Sequence, residues 1–195
     1  MKRNRFFEKA LLVEYGIGIV AVLVAWLFGL RLWEYCSLNP LDLGVGLAAT
    51  GGALLVYWVF RALPLAALRR ITELLRSLYR SEMWSLSLWQ LALIALAAGF
   101  GEELLFRGLL QQGLCNCFPD KEWAVIVVVS LLFGLAHCIT ATYVLLAFFI
   151  SLYLGWLYAW TGNLLVPILV HSLYDFLVLG HLYFECRAFE RNEKC

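Results

Sequence analysis

The sequence predicts an all-α membrane protein: a polytopic transmembrane helix bundle of about six crossings, with one amphipathic helix lying at the membrane interface. Three observations carry that prediction. Of 195 residues, 63% are hydrophobic and 15% charged, against roughly 45–50% apolar and about 25% charged in an ordinary soluble domain. The apolar residues gather into six runs, at about 10–32, 41–63, 86–112, 123–139, 141–160 and 163–180, each of a length to be read as a crossing. Most of the basic residues fall in every second connection between those runs, and so on one side of the membrane, as an oriented membrane protein requires.

Taken in order, Met1-Lys2-Arg3-Asn4-Arg5 leads into the first run, which extends from Ala10 to Leu32 and is not closed by a small-x-small cleavage site. Its length favours a retained anchor helix over a cleaved signal peptide. After the second run comes Arg69-Arg70-Ile71-Thr72-Glu73-Leu74-Leu75-Arg76-Ser77-Leu78-Tyr79-Arg80, where basic and apolar residues alternate at near-helical spacing. Such a segment lies in the plane of the interface with its apolar side in the lipid. Four further runs complete the bundle. The expected organisation is residues 1–85 as two transmembrane helices plus a basic cytoplasmic segment, 86–180 as a four-helix core, and 181–195 as a cytoplasmic tail.

Orientation follows from Lys and Arg. The amino-terminal tail holds Lys2, Arg3, Arg5 and Lys9, the stretch 61–85 holds Arg61, Arg69, Arg70, Arg76 and Arg80, and the end of the chain holds Arg187, Arg191 and Lys194. All of these fall on one side; the other side receives Arg31 and Lys121, and Arg107 lies inside an apolar run. By the positive-inside rule both termini are expected in the cytoplasm, with the protein in the plasma (inner) membrane. Trp26, Trp33, Trp84, Trp89, Trp123 and Trp160 near the ends of runs fit interfacial anchors. A net charge of +1 argues against a nucleic-acid partner, which calls for a clustered basic surface. Cys36, Cys115, Cys117, Cys138, Cys186 and Cys195 lack the paired C-x-x-C spacing of a zinc knuckle and read as small buried side chains or spectator thiols.

Ionisable groups within hydrocarbon cost roughly 2.5–3.5 kcal/mol each on insertion scales, so a chain that keeps several has a use for them. The third run carries Glu102, Glu103 and Arg107, the fourth ends on His137, and the sixth carries His171 and Asp175. Glu103 and Arg107 are four residues apart on one helical face and can neutralise each other as a structural pair. Glu102 points about 100° away from Glu103 and is left over to face another helix. His171 and Asp175 are also four apart, so the carboxylate can orient the imidazole, or both can face one cavity. Gly99, Gly101, Gly108, Gly113 and Gly134 beside these charges allow helix backbones to approach closely.

In that order on three apolar runs, Glu102-Glu103-x-x-x-Arg107, Phe133-x-x-x-His137 and His171-x-x-x-Asp175 resemble the CAAX protease and bacteriocin-processing family, also called the CPBP or type II CAAX prenyl endopeptidase family. The resemblance covers about residues 86–180. It implies an intramembrane glutamic endopeptidase in which Glu102 and His137 activate water, while His171 and Asp175 stabilise the oxyanion or position the scissile carbonyl. The family often has Asn where this chain has Asp175, and an ionised carboxylate cannot donate to an oxyanion. Asp175 would therefore be protonated or act by orienting His171. Elementary chemistry agrees, since amide hydrolysis needs a base for water and donors aimed at the developing charge. No Ser or Cys stands in a convincing nucleophile setting.

The expected substrate is a membrane-associated protein or peptide, with the lipid bilayer as surroundings and no cofactor. Three alternatives remain open. A zinc metalloprotease would use His137, His171 and a carboxylate as ligands, although no H-E-x-x-H is present. An immunity or assembly protein would keep the fold without catalysis. A proton-coupled transporter would use the same residue types, but no internal repeat is visible. Straight helices would also offset Glu102 from His137 by on the order of 10 Å, so a tilt, or a break at Ala97-Ala98-Gly99-Phe100-Gly101, is expected to close the gap.

Overall fold

A computed structural model describes the backbone of residues 5–193 and the side chains as far as Phe189. Lys2, Arg3, Lys194 and Cys195 lie outside the described residues, as does the side chain of Arg191. Within them the chain is all-α, with helices α1 (Arg5–Leu27), α2 (Pro40–Ala62), α3 (Ala66–Leu78), α4 (Leu88–Glu103), α5 (Gln112–Cys117), α6 (Glu122–Ala136), α7 (Ala141–Thr161) and α8 (Leu165–Glu193).

Local chemistry sets the boundaries. Pro40 occupies the first turn of α2, where its missing N–H costs nothing, and the Asn39 side chain accepts from Leu41 N. At the start of α4, Ser87 N and Ser87 Oγ both donate to Gln90 Oε1, at 3.0 and 2.9 Å. Thr140 caps α7 by accepting from Tyr143 N, and α7 stops at Gly162 with φ 62°, a left-handed conformation that glycine adopts without penalty.

Among the described residues four helices, α1, α2, α7 and α8, are long and apolar enough to cross a membrane, and a fifth span is reached if α3, extended to Met83, and Leu88–Cys117 are taken as one segment bent by 112°. The expected six crossings are corrected accordingly. The shortfall includes α6, whose 15 residues reach about 22 Å against a hydrocarbon thickness of about 30 Å. The apolar run there continues through His137-Cys138-Ile139, but the backbone leaves the helix at His137.

The third run differs from expectation in the opposite sense. No break occurs at Ala97–Gly101, which lie within α4; a π-helical stretch, Leu104–Gln111, then joins α4 to α5. The helical path is thereby prolonged to Cys117. Glu102 stands fifteen residues before Cys117 and His137 fifteen after Glu122. Two antiparallel arms of equal length meet at the same depth, and this closes the anticipated offset. Helix α8 likewise runs on through the stretch from residue 181.

The interior is built from small residues, with Gly18, Ala21 and Ala25 of α1 and Ala95, Ala97, Ala98, Gly99 and Gly101 of α4 all buried. Lipid offers no hydrophobic drive to association, so close van der Waals contact between backbones has to supply it. A Cβ on Gly101 would collide with the Glu14 carbonyl oxygen, and one on Gly99 with Ser172. Larger side chains such as Leu12, Leu23, Leu27, Phe149 and Trp160 are exposed, where the acyl chains would lie. Helix α3 carries the basic amphipathic segment, and its Arg76 meets Glu185 of α8 at 2.5 Å, alongside Arg61 of α2 at 2.8 Å.

Candidate active site

The fold brings all six singled-out ionisable residues together from α4, the π-helical stretch, the end of α6 and α8. They divide into a sealed half and an accessible half. Glu103 and Arg107 are fully buried, with Arg107 Nε 3.1 Å from Glu103 Oε2. Arg107 Nη2 also donates to the carbonyl and the hydroxyl of Ser151 on α7, at 2.8 and 2.9 Å. A guanidinium so deep needs that many acceptors. Ser151 carried no signal in the sequence, because one hydroxyl in an apolar helix is ordinary.

Glu103 has a second partner in His171, whose Nδ1 lies 2.8 Å from Oε1. Placed beside Arg107, the carboxylate accepts, so Nδ1 carries the proton and Nε2 points the other way. That nitrogen faces Asp175 Oδ2 at 3.5 Å, one helical turn along α8. The imidazole is thus held from Nδ1 by a residue of another helix, with Asp175 flanking its opposite edge.

His137 terminates α6. Its backbone N–H caps the helix toward Phe133 and Gly134 carbonyls, and its Nδ1 lies 2.9 Å from the same Phe133 oxygen. A carbonyl can only accept, so Nδ1 donates and Nε2 is the nitrogen turned toward the site. The ring stacks on Phe133, with centroids 4.4 Å apart and planes inclined by 21°. Phe133 also lies 5.2 Å from the Arg107 guanidinium carbon and edge-on to His171 at 6.1 Å. One aromatic ring therefore touches the surroundings of both histidines.

Glu102 Oε2 stands 3.6 Å from His137 Nε2, longer than a hydrogen bond. The side chains of Glu102, His137 and Asp175 keep 14, 27 and 34% of their surface accessible, against none for Glu103 and Arg107. What reaches the site from outside therefore meets the first three. A further carboxylate, Glu14 of α1, stands within electrostatic reach of Glu102, His137, His171 and Asp175. It went unremarked in the sequence, although it is the sole acidic residue of the run from Ala10 to Leu32 and met the criterion that singled out Glu102. Among the described residues, no group of three or more His, Cys, Asp or Glu side chains is placed to hold a metal ion.

An uncharacterized protein of Bacillus subtilis (strain 168), YpbD, is 35% identical to this chain over 95 residues, covering 47% of this chain and 45% of the relative. The chain thus spans about half the length of that curated relative. No solved structure matches the chain. The family model described as type II CAAX prenyl endopeptidase Rce1-like matches residues 84–177, a segment that contains Glu102, Glu103, Arg107, His137, His171 and Asp175. Over that segment, just under half of its length, this helical membrane chain is similar to the Rce1-like family of type II CAAX prenyl endopeptidases, the family that its three motifs resemble.

Proposed function

We propose that this protein is an intramembrane endopeptidase that hydrolyses a peptide bond of a membrane-associated protein or peptide with water activated by Glu102 and His137. The observation that carries the reading is the division of the cluster. Glu102 Oε2 and His137 Nε2 come from different helices and face each other at 3.6 Å, on side chains that each keep part of their surface accessible, whereas Glu103 and Arg107 are sealed against each other.

A water donating to the Glu102 carboxylate lies beside His137, and loss of its proton to Glu102 accompanies attack of its oxygen on the scissile carbonyl carbon. The carbonyl oxygen gains charge as the tetrahedral intermediate forms. His171 acts as the imidazolium, held between the Glu103 carboxylate at Nδ1 and Asp175 beside Nε2, and its Nε2–H donates to that oxygen. The C–N bond then breaks, and the proton taken from water passes to the leaving nitrogen. No metal enters any step. The protein works within the plasma membrane with both termini in the cytoplasm.

Profiling of protein N-termini in host-cell membranes tests the reading. Cells with the wild-type protein should contain termini that are missing when it is replaced by Glu102→Gln at equal abundance. Identical sets of termini would contradict it.

A further inference from the structure

We infer that Glu14 of α1 is a positioning residue of this site, holding the second O–H of the hydrolytic water whose first O–H is held by Glu102. This rests on the peptidase reading above and adds to it a residue from outside the matched segment 84–177.

Two independent observations place it there. Helix α1 is pressed against α4 at the position just before the reactive carboxylate: Gly101 has no room for a Cβ because the Glu14 carbonyl oxygen occupies that space, and a Cβ on Gly18 would lie 3.3 Å from Gly101 Cα. The Glu14 side chain consequently shares the surroundings of Glu102, His137, His171 and Asp175. Second, Glu14 Oε2 and Glu102 Oε2 are both buried, and neither has a hydrogen-bond donor among the described residues. A buried acceptor without a donor is costly, the more so on an apolar helix. Of the basic groups nearby, Arg107 directs Nε to Glu103 and Nη2 to Ser151, and His171 Nδ1 is committed to Glu103. Water has two O–H groups to give. Shared between carboxylates on two helices, it is held by its O–H groups with its oxygen lone pairs free to meet a carbonyl carbon.

The test uses full-length protein, purified with Glu14→Gln, Glu14→Leu and Glu102→Gln, and a quenched peptide spanning the cleavage site that terminal profiling identifies. Glu14→Leu should lower kcat about a hundredfold, the usual effect of misplacing a reactant, with KM within threefold and a melting temperature at or above wild type. Glu14→Gln, which keeps an acceptor oxygen, should recover at least tenfold of that loss. A Glu14→Leu protein with wild-type kcat, or one whose loss of kcat follows a loss of stability and is not recovered by Gln, overturns the inference. If Glu102→Gln is inactive while Glu14→Leu is unimpaired, the role of Glu14 fails alone. If no cleavage depends on Glu102, the peptidase reading fails and the role of Glu14 with it.

Discussion

Glu103 Oε1 receives His171 Nδ1 at 2.8 Å while its other oxygen faces Arg107 Nε at 3.1 Å. One sealed carboxylate thus ties α4 to α8 and balances the most deeply buried cation. Removing it would leave that cation unpaired in an apolar interior. Glu103→Ala and Arg107→Ala should each cost about 3–5 kcal/mol, seen as a lower melting temperature in detergent and a lower yield. Equal stability of either variant and wild type would show that the pair is dispensable.

The crossing of α1 and α4 gives a second prediction. Gly101→Val should destabilise the protein by about 1–3 kcal/mol, the usual cost of overpacking, because its side chain meets the Glu14 backbone. Gly113→Ala, with open space at its Cβ, should be neutral. Thermal melting of both variants checks the contrast, and a Gly101→Val protein as stable as wild type would show that the two helices do not meet there.

Sidedness can be read from the thiols. Cys36, Cys117 and Cys138 are exposed. With both termini in the cytoplasm, Cys36 and Cys117 lie toward the outer face and Cys138 toward the inner. An impermeant maleimide should label the first two in intact cells and Cys138 only after permeabilisation. Cys186 is buried and reports on neither side. Labelling of Cys138 alone in intact cells would invert the topology.

A fourth prediction concerns metal. Purified protein should hold well under one equivalent of zinc and keep its activity after prolonged chelation. Stoichiometric zinc that is lost with His137→Ala, together with activity restored to chelated protein by added zinc, would favour the metalloprotease alternative.

The apolar runs made the helices legible, since hydrophobic length is a direct requirement of the bilayer. The pairing of Glu103 with Arg107 was legible for a similar reason, because four residues along a helix is a local distance. Three features were not. Helix α6 stops short because the chain leaves the helix at His137, within a run whose composition does not change. The path from Leu104 stays helical as far as Cys117, past the end of the apolar run at 112. Gln111 donates to the Gly155 carbonyl at 2.9 Å and Gln112 accepts from Tyr158 at 2.8 Å, so α7 supplies partners that only the tertiary fold reveals. The contact of Glu103 with His171 joins positions 68 residues apart, beyond any periodicity. Glu14 was visible by type but had no neighbour in the sequence to point to the site.

The role of Glu102 as base is tested most directly by the kinetics of Glu102→Gln on the identified peptide, with the melting temperature measured on the same preparation. Glutamine keeps the size of the side chain and removes its ability to take a proton. The predicted result is a fall in kcat of about 10²–10⁴-fold, the usual contribution of a positioned base, with KM and melting temperature close to wild type. A Glu102→Gln enzyme within tenfold of wild-type kcat would contradict the assignment of Glu102 as the group that activates water.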